Sequence, residues 1–350
     1  MRLTRMRRVQ GSAMLETGLA FLARKVDVVR AGHRLSALAD TLLEEGLALA
    51  RAKVCHRFGE PVDARFGIFA LGRLGSRELG FFADVDIVFV YDAHGPTTGP
   101  RAIDAADWAA RVAQQTIWSL SAPLPEGRCY EVDARLRPSG NQGPLVTGLE
   151  SFFSYHRTRA EIWERQALLR MRPIAGDSTL LHAVMDNARI ASQSPTPPRV
   201  GTHLLDMRAR MVRERASHAG ALDLRMGEGG LSDIEFAVQG AQLKFAHTHP
   251  FVLSPSTRVA LHRIARAQLI PSRHAVELDR AFLHLSTIRE ALTLMDDKRG
   301  GVLSSNDHRL EVLLSMWPEV PAPLGRTVDD HRHRSALGLF DALVEQAARV

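Results

Sequence analysis

Two carboxylates two residues apart, Asp84 and Asp86, lead into the apolar run Val85 to Tyr91, and a glycine turn, Gly72-Arg73-Leu74-Gly75-Ser76, comes shortly before them. The β-branched and aromatic content of the run predicts a strand. Its period of two puts Asp84, Asp86, Val88 and Val90 on one face and Val85, Ile87, Phe89 and Tyr91 on the other. Two carboxylates on one face repel each other unless a cation lies between them, and hard oxygen donors suit magnesium with substrate phosphates completing its shell. The preceding run Phe66 to Leu71 predicts a strand that breaks at Gly72. Gly75 and Ser76 are expected to present backbone N–H groups to a triphosphate at the start of a helix. A glycine–serine turn or an Asp-x-Asp pair alone is commonplace; joined in this order they point to nucleotidyl transfer.

Such a site needs a third carboxylate to share the cations and to receive the proton of the attacking hydroxyl. The alternating segment Tyr130 to Pro138 offers Asp133, with Glu131, Arg135 and Arg137 predicted on the same face of a strand. Arg135 and Arg137, together with Arg73 of the glycine turn, are candidates to hold phosphate oxygens. The alternative is an amphipathic edge strand whose charges pair with one another.

The elements that must position these groups are legible in outline. Leu35, Leu38, Leu42 and Leu49 recur on one side of a helix ending near residue 56, and Ile103, Ala106, Ala110, Ala113, Ile117 and Leu120 mark another. A further helix is predicted from Leu149 to about Arg172, with Glu161, Glu164, Arg165, Arg170 and Arg172 read as a solvated charged face. Arg170 and Arg172 are also in reach of a nucleotide. Ser192 to Pro198, rich in proline and small polar residues, reads as the clearest linker. Beyond it Ile234, Val238, Ala241 and Phe245 form one helical stripe, and Leu278, Phe282, Leu285, Ile288, Leu292 and Met295 another, which predicts a helical bundle. Gly227 to Gly230 before the first of these reads either as a phosphate-cradling start or as a flexible turn, with Ser232 as N-cap. The expected division is a helical region over 1–60, a catalytic domain over 61–177, a linker over 178–202 and a bundle over 203–350.

Four blocks together resemble the glutamine synthetase adenylyltransferase family. They are Gly72 to Gly80 with Asp84-Val85-Asp86, Tyr130 to Gly140 running on to Thr147, Trp163-Glu164-Arg165-Gln166-Ala167-Leu168, and Gly227 to Phe236. The resemblance implies an α+β fold: a nucleotidyltransferase domain of the DNA polymerase β type with a mixed sheet, followed by an α-helical bundle. It implies ATP as substrate, Mg2+ as cofactor held by Asp84, Asp86 and Asp133, and AMP transfer to a tyrosine of glutamine synthetase, with a PII-type signalling protein as a possible regulator. It also brings Asp233 and Glu235 toward the catalytic cleft, although two positions apart on a helix they diverge by about 200°. Large members of the family carry two such domains, one adding AMP and one removing it by phosphorolysis. This sequence holds one glycine turn with Asp-x-Asp, and its blocks resemble the adding domain more closely. Arg73 stands where the family usually has lysine, and Ala83 where serine commonly precedes the first aspartate. Removal of AMP, transfer to RNA or a small molecule, and a regulatory module with weakened catalysis stay open as alternatives.

Composition agrees. Among 350 residues, 45 basic side chains nearly balance 39 acidic ones for a net charge of +6. That charge permits nucleic-acid binding without requiring it, and no nucleic-acid partner is expected. No apolar stretch approaches the roughly 20 residues of a membrane span, and the basic start lacks a signal-peptide core, so the expected location is the cytoplasm. Cys55 and Cys129 form neither a zinc pattern nor a disulfide framework. His331 and His333 beside Asp329 and Asp330 read as an exposed charged turn.

Overall fold

The leucine pattern near the N-terminus falls in α2 (Val28–Phe58), which a first helix, α1 (Arg2–Leu22), precedes. Leu35 and Leu42 are buried as predicted, but Leu38 and Leu49 only flank the stripe, which Ala39, Leu43 and Leu47 complete. The computed structural model describes residues 1–215, 221–296 and 301–304, with 309, 312, 313, 316 and 317 beyond them. These divide into two compact units, the first being 1–26 with 30–192 and the second 27–29 with the chain from Gln193 onward.

In the first unit α1 and α2 are followed by β1 (Arg65–Ala70), the four-residue helix α3 (Gly72–Gly75), β2 (Val85–Asp92), α4 (Ala105–Ser121), β3 (Val132–Asp133) and β4 (Val146–Gly148). Helices α5 (Leu149–Thr158) and α6 (Ile162–Leu168), strand β5 (Arg172–Gly176) and helix α7 (Ser178–Gln193) complete it. The sheet is mixed. Strand β1 runs antiparallel to both β2 and β5, while β3 and β4 lie parallel to β2 along its other edge.

Both faces of this sheet are covered, which is why β2 is apolar almost throughout. On one face Phe66 packs against Phe89 at 5.8 Å and edge-on against Trp108 of α4 at 6.1 Å. Trp108 draws α4 inward, so its buried stripe is Trp108, Val112 and Ala109 with Ala113 and Leu120. Ala106 faces solvent, and Ile103 lies before the helix. On the other face Phe69, Val88 and Val90 meet Phe152 of α5, Leu168 of α6, and Leu180, Val184 and Ala188 of α7. Each of these large apolar side chains contributes about 2 kcal/mol through burial. Residues 178–193 are therefore a core helix, not the linker expected over 178–202. The connecting segment is confined to the stretch after Gln193.

Arg7 is 2 % exposed and ties α1 to the end of α4. Its guanidinium donates to the carbonyls of Ser119 (3.2 Å) and Ala122 (2.7 Å), which the helix C-terminus leaves without intrahelical partners, and to that of Gly127 (2.8 Å) in the turn beyond. In an Arg7→Met protein the Ser119 and Ala122 carbonyls lose this donor, and the expected cost is about 3 kcal/mol, read as a lowered denaturant midpoint. Both cysteines are free thiols, Cys129 buried and Cys55 half-buried.

The second unit holds α8 (Val200–Arg215), β6 (Ala221–Asp223), α9 (Leu231–Phe245), α10 (Thr257–Arg266), α11 (Ser272–Asp296) and β7 (Val302–Ser304). The predicted stripes are buried at Ile234, Val238 and Ala241 and from Leu278 to Leu292, whereas Met295 faces solvent. An antiparallel ribbon of β6 and β7 accompanies the helices, an element the bundle reading did not contain. Gly230, not Ser232, caps α9, and Asp233 turns back to accept from the Gly229 amide and to pair with Arg208 at 2.6 Å. His331, His333, Asp329 and Asp330 lie outside the described residues.

Candidate active site

The chain leaves β1 at Ala70, makes the α3 turn, and returns as β2, and this antiparallel crossing brings the glycine turn over the start of β2. The Leu71 N–H donates to the Asp86 carbonyl at 2.9 Å. Gly72 adopts φ +52°, and a Cβ built there would overlap Asp86 Oδ2. The carboxylate of Asp86 therefore lies directly over Gly72, in space that only glycine leaves open.

Strand β3 brings the third carboxylate. Asp86 and Asp133 are register partners in the parallel pair β2–β3, and the Val85 N–H donates to the Glu131 carbonyl at 3.0 Å alongside. Register partners on adjacent strands project from the same face. Asp84, one residue before β2, shares that face by alternation. Asp84, Asp86 and Asp133 are all half-buried at the end of the sheet.

The segment after Asp133 departs from its predicted form. Strand β3 ends at once, because Asp133 Oδ1 accepts from the Arg135 amide at 2.8 Å and turns the chain. The Arg135 side chain folds back and donates to both oxygens of Asp133, with Nε at 3.0 and 2.9 Å. Arg137 donates to the carbonyls of Ala134 (2.7 Å) and Gly143 (3.2 Å), which shapes the 134–143 loop. Burial pulls the Asp133 carboxyl upward, and the hydrogen bonds and charge of Arg135 outweigh it, so that it lies below the usual carboxylate range. The Arg135 guanidinium is held in its charged form by Asp133 first, and by Asp84 and Asp86 as well. Arg135 thus lies in the field of all three carboxylates.

The glycine turn also differs from expectation. Gly75 ends α3 and Ser76 caps it, so the helix begins at Gly72 and not beyond Ser76. The Gly75 and Ser76 amides donate to the carbonyls of Leu71 (2.8 Å) and Gly72 (3.2 Å), and the buried Ser76 hydroxyl donates to that of Arg73 at 3.2 Å. A Cβ at Gly75 would overlap the Arg170 carbonyl, which makes this glycine a packing requirement. The amides at the opening of α3, beginning with Gly72 and Arg73, are those the helix itself does not use.

Among the described residues no three His, Cys, Asp or Glu side chains converge closely enough to enclose a metal ion. Asp133 is turned onto Arg135, whose side chain is 66 % exposed while that of Asp133 is 14 % exposed. Asp84, Asp86 and Asp133 are hard oxygen donors, the type that suits a divalent ion such as magnesium.

The Trp163 to Leu168 block supports the site from behind. The predicted single helix breaks between α5 and α6, where Glu161 and Glu164 form a capping box. Glu164 is 3 % exposed, not solvated: it accepts from Tyr155 Oη at 2.8 Å and from the Glu161 amide at 2.9 Å. Tyr155 Oη in turn accepts from the Ser139 N–H at 3.1 Å, fastening the 134–143 loop. Arg172 is likewise committed, donating to both oxygens of Asp40. None of these partners was signalled by spacing except the Glu161-x-x-Glu164 box.

Beside Tyr155, His156 is 8 % exposed, with Nδ1 buried and without a partner. Burial pushes its imidazole down to about 4 from 6.5. The group stays neutral in the folded chain while the unfolded chain binds a proton below pH 6.5, so stability is intact above that value and is lost as pH falls toward 4. The loss should reach about 3 kcal/mol near pH 4, and a His156→Phe chain should lack that component in a pH series of denaturant midpoints.

A mixed sheet with carboxylates on two adjacent parallel strands beside a glycine turn, joined to a largely helical second unit, defines a nucleotidyltransferase-type α+β protein. The glutamate–ammonia ligase adenylyltransferase family matches residues 2–187, and the chain belongs to it. Residues 205–334 match the GlnD PII-uridylyltransferase family. The chain is 36 % identical over 287 residues to a bifunctional glutamine synthetase adenylyltransferase/adenylyl-removing enzyme of Xanthomonas campestris pv. campestris, covering 80 % of this chain and 30 % of that protein. Proteins of the same name from Thioalkalivibrio sulfidiphilus and Idiomarina loihiensis are each 32 % identical over 90 % and 87 % of this chain, in both cases 34 % of their own length. The chain thus spans about a third of the relatives it matches. No helix among the described residues is long and apolar enough to cross a membrane.

Proposed function

We propose that this chain transfers AMP from ATP to a tyrosine hydroxyl of glutamine synthetase. The observation that carries the reading is the register pairing of Asp86 with Asp133 while Gly72 lies against the Asp86 carboxylate. It joins a nucleotide turn to an acidic triad.

Asp84, Asp86 and Asp133 would hold magnesium, which supplies charge neutralisation on the triphosphate and a more acidic attacking hydroxyl. The chain's own groups orient the reactants. Arg73 at the turn and Arg135, once it leaves Asp133, take phosphate oxygens by charge-assisted hydrogen bonds, and the opening amides of α3 face the same oxygens. Asp133 receives the tyrosine proton as the tyrosine oxygen bonds to the α-phosphorus and the bond to the pyrophosphate oxygen breaks in line. Arg137, Gly75 and Ser76 keep the two loops in shape. The match to a PII-uridylyltransferase family over 205–334 supports a PII-type protein as regulator.

The test is incubation with magnesium, α-labelled ATP and glutamine synthetase. Label carried covalently by the synthetase supports transfer. Release of ADP from adenylylated synthetase and phosphate, without labelling, would assign the removing direction that the relatives' names also include.

A further inference from the structure

Three positions of α2, spaced four residues apart on one stripe, contact the loop that carries the site, two directly and one through Arg172. Gly32 lies against the backbone after α3: a Cβ there would stand 3.3 Å from the Arg77 carbonyl oxygen and 3.4 Å from Glu78 Cα. Ser36, fully buried, accepts from the Leu79 N–H at 3.4 Å. Asp40 binds Arg172 through two hydrogen bonds of 2.8 Å, and the same guanidinium donates to the Leu74 carbonyl of the glycine turn at 3.2 Å. The segment these contacts hold contains Arg77 at φ +61° and Phe82 at φ +53°, conformations that non-glycine residues keep only under outside restraint.

We infer that Gly32, Ser36 and Asp40 are positioning residues for the nucleotide turn, so that helix α2 sets how well the Gly72–Asp86 region receives the triphosphate. The inference rests on the proposed reading of that turn as the nucleotide site. Asp40 acts through Arg172, and Gly32 and Ser36 act through the backbone of 77–79; none of the three reaches the carboxylates.

The experiment compares Gly32→Ala, Ser36→Ala and Asp40→Ala in the full chain, with Arg34→Ala, exposed on the same helix, as control. Three quantities are read: amide exchange at Gly75 and Ser76 against amides of β1 and β2, affinity for a fluorescent ATP analogue with magnesium, and KM against kcat for labelling. Exchange at Gly75 and Ser76 should rise about tenfold with the strand amides unchanged. The analogue should bind about fivefold more weakly, and KM for ATP should rise with kcat nearly constant. Equal acceleration in the turn and the strands, or unchanged analogue affinity in all three variants, would overturn the inference. Should Asp40→Ala fail to fold, Gly32→Ala and Ser36→Ala decide alone. A chain that binds the analogue but labels no synthetase would refute the proposed reaction while leaving the exchange and affinity results to judge this inference.

Discussion

An Asp86→Asn chain should lose AMP transfer by about a thousandfold, roughly 4 kcal/mol of transition-state stabilisation, while folding normally. Asparagine matches the shape of aspartate, keeps the Asp86 carbonyl that accepts from Leu71, and fits over Gly72 as the carboxylate does. What it removes is one of three negative charges on a common face. Fewer like charges there mean less repulsion in the nucleotide-free chain, so the thermal midpoint should hold or rise slightly. Catalysis and stability thus move in opposite directions, which separates this residue from one whose loss merely unfolds the sheet. Transfer near the original rate in the Asp86→Asn chain, measured with labelled ATP, would remove Asp84, Asp86 and Asp133 as a working set.

The strand that carries Asp86 was legible because its β-branched and aromatic run is unbroken, with Phe89 on one face and Val88 and Val90 on the other. What period alone cannot show is where a strand gives way to a side-chain-driven turn. The run Tyr130 to Pro138 alternates as cleanly as β2, yet Asp133 accepts the Arg135 amide and ends the strand after two residues. This local competition between side chain and ladder moved Arg137 onto loop carbonyls. Helix α7 was missed for a different reason. Its Leu180, Val184, Ala188 and Ala191 have helical spacing, but the proline-rich stretch just beyond drew the boundary forward. The Asp40–Arg172 pair joins residues 132 positions apart, and nothing in either neighbourhood marks the other. Helix α2 was legible from its leucines, but its contacts with the turn were not.

Gly72→Ala should separate the shape of the site from its charge. The added methyl group meets two obstacles: a backbone at φ +52° that costs a non-glycine residue about 1 kcal/mol, and the Asp86 carboxylate in the space the methyl would fill. Asp86 is the softer neighbour, since a side chain can rotate where the β1–β2 ladder cannot shift, so the carboxylate is displaced and the sheet survives. The expected result is a loss of about a hundredfold in transfer with a stability loss of about 1–2 kcal/mol. Gly75→Ala gives the contrasting outcome. There the new methyl overlaps the Arg170 carbonyl, a backbone atom of the segment leading into β5, and relief requires moving α3 away from the sheet. That variant should lose more than about 3 kcal/mol and fall in activity because it unfolds. Parallel thermal melts and labelling rates on the two proteins decide the matter: if Gly72→Ala lost stability as heavily as Gly75→Ala, the glycine at 72 would be a packing residue, and its contact with Asp86 would carry no special weight in the chemistry.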